Sequence, residues 1–330
     1  MKILAIRLAR LGDVILLLPA LSSLKQAFPG SQLTFLTGHR CAPIAELCPA
    51  IDEVMAVDRL AMRDGSVWRA IWEMRRLVTE VRRKRFDLVV DFHSFRETNL
   101  LTWLSAAPVR IGMKRYRGPY LAFCLNGAPV FEDKSIHVAE MFERVVASLP
   151  SSAAPGARQP FAGGRGLMIP ESVKHLKSSK IVFYVDAPVP ERIWPAERFA
   201  EVADFAVEKL NAEVIVISSR EGAERATRVL KTSRNPAQLE VFTELTLPQL
   251  AGLIASAQLL VSNDTGPMHI GPAVGVPTLG LFSVGYPEHF RPAGPSDRFL
   301  RANPIERIDV SDVIRAVEGM WATADRDLRR

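Results

Sequence analysis

The chain reads as two α/β domains in tandem, each a parallel sheet with helices on both faces. Three observations predict this. Its 330 residues match the length of about two ordinary domains. Short apolar runs alternate with segments of helical period in both halves. Between the halves, Ser151 to Ser179 is rich in Ser, Ala, Pro and Gly, and reads as a linker (SSAAPGARQPFAGGRG). The expected domains are residues 1–165 and 166–330.

Each element has its own signal. In the first half, Lys2–Leu8 is an apolar strand, and 13–28 has helical periodicity up to Pro29-Gly30. Gln32–Thr37 and Glu53–Val57 are strands. The segment 67–84 is an amphipathic helix whose apolar side is expected to carry Trp68, Ile71, Trp72, Leu77 and Val78. Phe86–Phe92 (FDLVVDF) is a buried strand. In the second half, strands are expected at 180–185, 213–218, 239–242, 258–262 and 277–282. Helices are expected at 195–209, 221–231, 247–256, 265–274 and 310–324. Two such sheets would leave a cleft outside the carboxyl ends of their strands, where ligands of open α/β folds bind.

Composition narrows the class. Hydrophobic residues make up 48% and charged residues 24%, a globular balance. Cys41, Cys48 and Cys124 show neither CxxC nor metal-ligand spacing, which fits a reducing compartment. Lys2, Arg7 and Arg10 before Val14–Leu21 resemble a signal peptide, but Gly12-Asp13 breaks the apolar run. No apolar run reaches the ~20 residues of a membrane-spanning helix. Charge is lopsided. Residues 1–165 hold 23 Lys/Arg and 15 Asp/Glu, whereas residues 166–330 hold 19 and 21. The first domain is therefore expected to meet something anionic.

Three segments carry candidate chemistry. The first is Arg7-Leu-Ala-Arg10-Leu-Gly12-Asp13, after the first strand. Asp13 either caps the following helix or faces the cleft. With a single glycine, the turn lacks the GxGxxG of dinucleotide-binding enzymes. The second is Val261-Ser-Asn-Asp264-Thr265-Gly266-Pro267-Met268-His269, between a strand and a helix. Backbone N–H groups at Thr265 and Gly266 would suit an anion, and His269 lies one turn further on. The alternative is a capped helix with a buried histidine. The third is Glu191-Arg192-Ile193-Trp194-Pro195. Arg192 could hold a diphosphate, while Trp194 belongs to the core.

These segments, in this order, resemble the ADP-heptose:lipopolysaccharide heptosyltransferases, glycosyltransferase family nine. The resemblance runs through IRLARLGDVILLLPALSSLKQAFPGSQLTFLTG, FDLVVDFHSFRETNLL, APVRIGM and ERIWPAERFAEVA. Its most specific stretch is VSNDTGPMHIGPAVGVPTLGLF. It implies the GT-B arrangement, two Rossmann-like domains whose parallel sheets face a central cleft. The N-terminal domain would then bind the acceptor and the C-terminal domain the nucleotide sugar. It also implies inverting transfer of heptose from ADP-heptose to a sugar hydroxyl of the lipopolysaccharide inner core, with Asp13 as general base. The same resemblance assigns Arg192 to the donor diphosphate and places Asp264, Thr265, Gly266 and His269 in the donor signature. Leu245 would lie over the adenine. Glu221, or alternatively Glu224, would bind the ribose.

The basic residues Arg7, Arg10, Arg96, Lys114, Arg115 and Arg117 would hold an anionic glycolipid acceptor. The run Lys114–Arg117 reads equally as a solvated loop. Partners expected on this reading are the nucleotide sugar, the glycolipid and a peripheral contact with the inner membrane, with no nucleic acid. The location would be cytoplasmic. No cofactor is expected, and no metal, because the sole Asp-x-Asp, Asp325-Arg-Asp327, falls in a charged tail.

Two departures from the family pattern stand out. The loop Tyr184-Val-Asp186-Ala-Pro188-Val-Pro190 replaces a hydroxyl-rich phosphate loop, and proline offers no N–H. Phe282-Ser283 replaces Phe-Gly. These leave room for a hexosyltransferase or epimerase of the same fold. A non-catalytic nucleotide-sugar-binding protein is the other alternative.

Overall fold

The computed structural model describes residues 1–58, 67–116, 118, 120–149, 166–173 and 179–328. It divides into two units, residues 1–161 and 162–330.

In the first unit, strands β1 (Lys2–Ile6), β2 (Gln32–Gly38), β3 (Glu53–Val57), β4 (Leu88–Asp91), β5 (Val109–Lys114) and β6 (Val130–Phe131) form one sheet. The order is β3-β2-β1-β4-β5-β6, and every pairing is parallel. β1 lies between two neighbours, with Ile3 opposite both Leu33 and Leu88. That position explains its composition. After Lys2 every residue is buried, as a strand covered on both faces requires.

Among the described residues, the α-helices are α1 (Leu11–Ile15), α2 (Leu18–Ala27), α3 (Ala42–Ala45), α4 (Val67–Lys84), α5 (Arg96–Leu104) and α6 (Val138–Ala147). The single helix expected over 13–28 is thus two. Pro19 sits in the first turn of α2, the one helical position where a missing N–H costs nothing. A continuous helix would have placed it in the interior.

Helix α4 has the expected ends but not the expected face. Leu77 and Val81 are buried in the core with Leu4, Ile6 and Val89, and Val78 packs against them. Trp68, Ile71 and Trp72 are exposed. Strands β5 and β6 and helix α5 carry a weak pattern and are not among the expected elements; nor is α6, although Val138, Met141, Phe142 and Val145 keep a helical period. β5 contains Arg110, Gly112 and Lys114, and β6 has two residues.

The second unit repeats the plan. Its elements are β7 (Lys180–Tyr184), α7 (Ala196–Leu210), β8 (Glu213–Ile217), α8 (Ala223–Thr232), β9 (Leu239–Phe242), α9 (Leu247–Ala255), β10 (Leu259–Asn263), α10 (Ile270–Val274), β11 (Thr278–Phe282), α11 (Pro287–Phe290), β12 (Arg298–Arg301) and α12 (Val310–Leu328). The sheet order is β12-β11-β10-β7-β8-β9, again all parallel. Counted from the first strand of its own unit, this is the same order as in the first sheet. Both sheets therefore switch direction between their first and fourth strands.

The helix expected at 265–274 begins as a 3-10 turn, Gly266–His269, and becomes α-helical only at Ile270. Of the expected linker, residues 166–173 and 179 are described. Gly166 and Leu167 N–H both donate to the Ala273 carbonyl, at 2.9 and 3.1 Å, so this stretch is tied to the second unit.

Trp194 fixes the loop between β7 and α7. Its ring is fully buried against Phe199, with centroids 5.0 Å apart and nearly perpendicular. Its Nε1–H donates to the Ile308 carbonyl at 3.1 Å, and its backbone N–H to Asn263 Oδ1 at 3.1 Å. Trp194→Ala should cost about 3–5 kcal/mol of the second unit's stability. Urea denaturation followed by fluorescence measures this. A loss below about 1 kcal/mol, typical of surface positions, would remove Trp194 from the core.

Candidate active site

In an open parallel sheet, the connections diverge at the switch point, and ligands bind beyond the carboxyl ends of the strands there. In the first unit that point lies between β1 and β4. The turn after β1 carries Arg7 and leads into α1, which carries Asp13; the loop after β4 carries His93.

Asp13 is not the cap of α1. Arg10 holds the N-cap position, with no side-chain cap hydrogen bond, and Asp13 lies in the first turn. Its Oδ1 accepts from Arg7 Nη2 at 2.6 Å. Arg7 Nη1 donates to the Phe92 carbonyl at 2.7 Å, and its guanidinium lies 4.9 Å from the Phe142 ring centroid. Arg7 is therefore a buried partner of Asp13, not a surface cation reaching for an acceptor. Burial pulls its pKa below the ordinary range, and the Asp13 carboxylate opposes this.

The carbonyl that Arg7 grips is itself held. Asp91, fully buried at the end of β4, accepts from the N–H groups of His93 and Ser94 at 3.0 and 2.7 Å, and from Asn99 Nδ2 at 2.9 Å. Burial pushes the Asp91 carboxyl up to about 6, against these hydrogen bonds. Ser94 Oγ accepts from Met113 N–H at 2.8 Å, which ties the loop to β5.

Around this edge lie the remaining cations. Arg115 donates to the His93 carbonyl at 3.2 Å, stacks on Phe95 at 4.4 Å and pairs with Glu132 at 3.5 Å. Arg10, Arg96 and Lys114 are exposed. Arg117 lies outside the described residues. Arg110, by contrast, is committed to the carbonyls of Cys124 and Ala107.

In the second unit the switch point lies between β7 and β10. Arg192 ends a 3-10 turn after β7, and its Nη1 pairs with Asp264 Oδ2 at 3.1 Å, just beyond β10. Burial drives the Asp264 carboxyl up to about 6, and Arg192 opposes it. Two buried polar atoms beside this pair, Arg192 Nε and Asn263 Nδ2, have no hydrogen-bond partner among the described residues. A bound polar ligand is one way to satisfy such atoms. Gly285, at φ +114°, lets the chain pass this pair, and a Cβ there would lie 3.5 Å from Asp264 and 3.6 Å from Arg192. Thr265 and Gly266 are half-buried and His269 is buried. Among the described residues no three His, Cys, Asp or Glu side chains are grouped as metal ligands.

The two departures acquire physical roles. Ser283 Oγ donates to the Glu191 carbonyl, bracing the turn that presents Arg192. Asp186 is no loose negative charge. It pairs with Arg225, accepts from Ser219 Oγ, and accepts from Ala187 N–H at 2.9 Å. At position 222 a Cβ would stand 2.6 Å from the Asp186 carboxyl, so any larger residue would displace that side chain. Glu221 is exposed beyond β8, and its charge, after burial and Asp186, helps push the Tyr184 hydroxyl upward. Leu245, half-buried, directly precedes Thr246, whose side chain and that of Gln249 form a capping box opening α9. The exposed pair Arg220–Glu244, at 3.4 Å, links the Glu221 and Leu245 loops.

Sequence reasoning missed Asp91, Asn99, Asn263, Ser219 and Arg225. Asp91 and Asn263 stood inside quoted motifs, each as the last residue of an apolar strand, where a polar side chain reaches the functional edge. Ser219 and Arg225 carry no local signal, because their partner is 33 and 39 residues away.

Two tandem Rossmann-like units of this kind are the fold class of GT-B glycosyltransferases. The profile of glycosyltransferase family 9 (heptosyltransferase) matches residues 74–313, and the chain belongs to that family. It is 25% identical over 318 residues to lipopolysaccharide heptosyltransferase 2 of Salmonella typhimurium, covering 91% of this chain and 88% of that protein. It is 28% identical over 305 residues to lipopolysaccharide heptosyltransferase 1 of Pseudomonas aeruginosa, covering 87% and 80%. Among solved structures, a family 9 glycosyltransferase from Veillonella parvula superposes with a TM-score of 0.83 at 24% identity, covering 98% and 97%. An E. coli heptosyltransferase with ADP superposes at 0.81 and 22%, covering 97% and 100%. These structures share the fold.

Asp264 yields a pH test. Its carboxyl holds a proton more tightly when folded, at about 6, than at its ordinary value of 3.8. The stability it contributes is therefore present at low pH and lost as pH rises through about 4 to 6. Relative to Asp264→Asn, the wild type should lose up to about 3 kcal/mol between pH 4 and 7. Denaturation midpoints across that range measure it. A relative gain on raising the pH would mean that the Arg192 ion pair outweighs burial.

Proposed function

We propose that the chain transfers heptose from ADP-heptose to a sugar hydroxyl of the lipopolysaccharide inner core, with inversion. The observation that carries this reading is the Arg7–Asp13 pair at the first sheet's switch point. A carboxylate tethered through one oxygen can aim the other at a substrate hydroxyl.

In the proposed reaction, Asp13 Oδ2 takes the acceptor's proton. The acceptor oxygen bonds to the anomeric carbon from the face opposite the diphosphate. The bond from that carbon to the diphosphate oxygen breaks, and ADP leaves with the electron pair. Arg192, aided by backbone N–H groups near Thr265 and Gly266, stabilises the charge that gathers on the diphosphate. Thr265, Gly266 and His269 line the donor side, Asp264 orients Arg192, Glu221 takes the ribose hydroxyls, and Leu245 covers the adenine. Arg10, Arg96, Lys114 and Arg115, with Arg117, receive the anionic glycolipid. The first unit would thus serve the acceptor and the second the nucleotide sugar. The setting would be the cytoplasmic face of the inner membrane, with the enzyme held there peripherally.

Two measurements test this. Thermal shift against ADP, UDP, GDP and CDP should give the largest stabilisation with ADP, since a ligand that binds only the folded state adds RT ln(1 + [L]/Kd). Arg192→Ala should abolish most of the ADP shift. A preference for UDP or GDP would move the enzyme to a hexose donor, and no shift at all would favour a non-catalytic protein.

Asp13→Asn should lower turnover at least ~100-fold, within the usual range for a general base, while the ADP shift stays unchanged. Near-normal turnover in that variant would remove Asp13 from the chemistry.

A further inference from the structure

The carboxyl edge of the first unit's sheet carries exposed aromatic and aliphatic side chains that the proposed chemistry does not use. Trp68, Ile71 and Trp72 are 81%, 45% and 58% exposed. At spacings of three and four they share one face of α4. The next turn on that face presents the exposed Arg75 and Arg76, and Arg76 lies 5.8 Å from the Trp72 ring.

The chain's own course locates this cluster. The last residue of α4, Lys84, pairs with Glu53 at the start of β3 at 2.5 Å, and its carbonyl accepts from Lys2 at the start of β1. The C-terminus of α4 is therefore at the amino edge of the sheet. Eighteen residues of helix span about 27 Å, which returns its first turns to the carboxyl edge, the edge of Asp13. Glu73 and Arg76 accordingly line one cavity with His39 and Asp58, which follow β2 and β3.

The far side of the same edge repeats the pattern. Tyr116 and Phe131, 72% and 64% exposed, follow or end β5 and β6. Lys114 lies 5.2 Å from the Phe131 ring, and Lys134 lies 6.0 Å from the Tyr116 ring. Two groups of exposed rings thus flank the exposed cations Arg10 and Arg96. Large rings left in water beside cations match the composition of membrane interfaces, where rings settle at headgroup depth and arginine meets phosphate.

The geometry points to this edge as a docking face for an anionic lipid bilayer, with Trp68, Ile71 and Trp72 inserted among the headgroups and Arg75 and Arg76 on their phosphates. The inference rests on the glycolipid acceptor of the proposed function, and it names the surface that brings Asp13 to the bilayer. Charge complementarity selects an acidic membrane over a second copy of this chain, which would bring the same arginines face to face.

The test is co-sedimentation with vesicles of phosphatidylglycerol and phosphatidylethanolamine, and with phosphatidylcholine vesicles, at about 0.15 M salt. The wild type should bind the acidic vesicles and leave the neutral ones unbound. Trp68→Ala/Trp72→Ala should weaken vesicle binding at least ~10-fold, with its thermal midpoint and ADP shift unchanged. Trp103→Ala should bind like wild type, because Trp103 lies near the C-terminus of α5, towards the amino edge. No vesicle binding by the wild type, equal binding of neutral vesicles, or an undiminished double variant would overturn the inference. So would a dimer that the double variant abolishes. Vesicle binding by a wild type that shows no ADP shift would sink the donor assignment and leave the docking face standing.

Discussion

Each unit of this chain depends on one constraint. Parallel strands must be joined by crossovers, and in both sheets the crossovers run one way from the first strand and the other way from the fourth. The loops after those two strands therefore part, and side chains just beyond the strand ends face an opening that no crossover covers. Arg7 and Asp13 meet there in the first unit, Arg192 and Asp264 in the second. The polar residues that end these strands, Asp91 and Asn263, are fully buried and hold the loops that present the functional groups.

Both edges place a cation against a carboxylate, with opposite accents. In the first unit the arginine is the buried member, gripped by Asp13 and the Phe92 carbonyl, and the carboxylate is the more accessible one. In the second the aspartate is buried and the arginine more accessible. A buried charge is tolerable only when paired, so each pair fixes the geometry of its accessible partner. An accessible carboxylate suits proton removal, and an accessible guanidinium suits an anionic leaving group. Ser283, Asp186, Ser219 and Arg225 work behind the second pair. They turn a loop that looks hostile to phosphate into a neutralised brace.

Much of this could be read from the residues alone. The strands β1, β2, β7, β8, β10 and β11 were legible because a strand buried on both faces needs a nearly unbroken apolar run, and each run is short and bounded by polar or turn residues. The Arg7-to-Asp13 turn and the Asp264-to-His269 segment were legible because polar residues directly after such strands have only the functional edge to reach.

Tertiary structure decided the rest. The apolar period of α4 is the same whether Trp68 packs inward or faces water, and only its position at the sheet edge settles that. Arg7 reads as one basic residue among several until Phe92, brought alongside by the pairing of β1 with β4, supplies the carbonyl that buries it. Asp186 reads as a charge beside phosphate until Arg225, 39 residues on, neutralises it. Local pattern determined which segments are strands and which carry polar groups at their ends, because those depend on near neighbours in the chain. Which charge is buried, paired or exposed depends on contacts across tens of residues, and only the folded sheets bring those together.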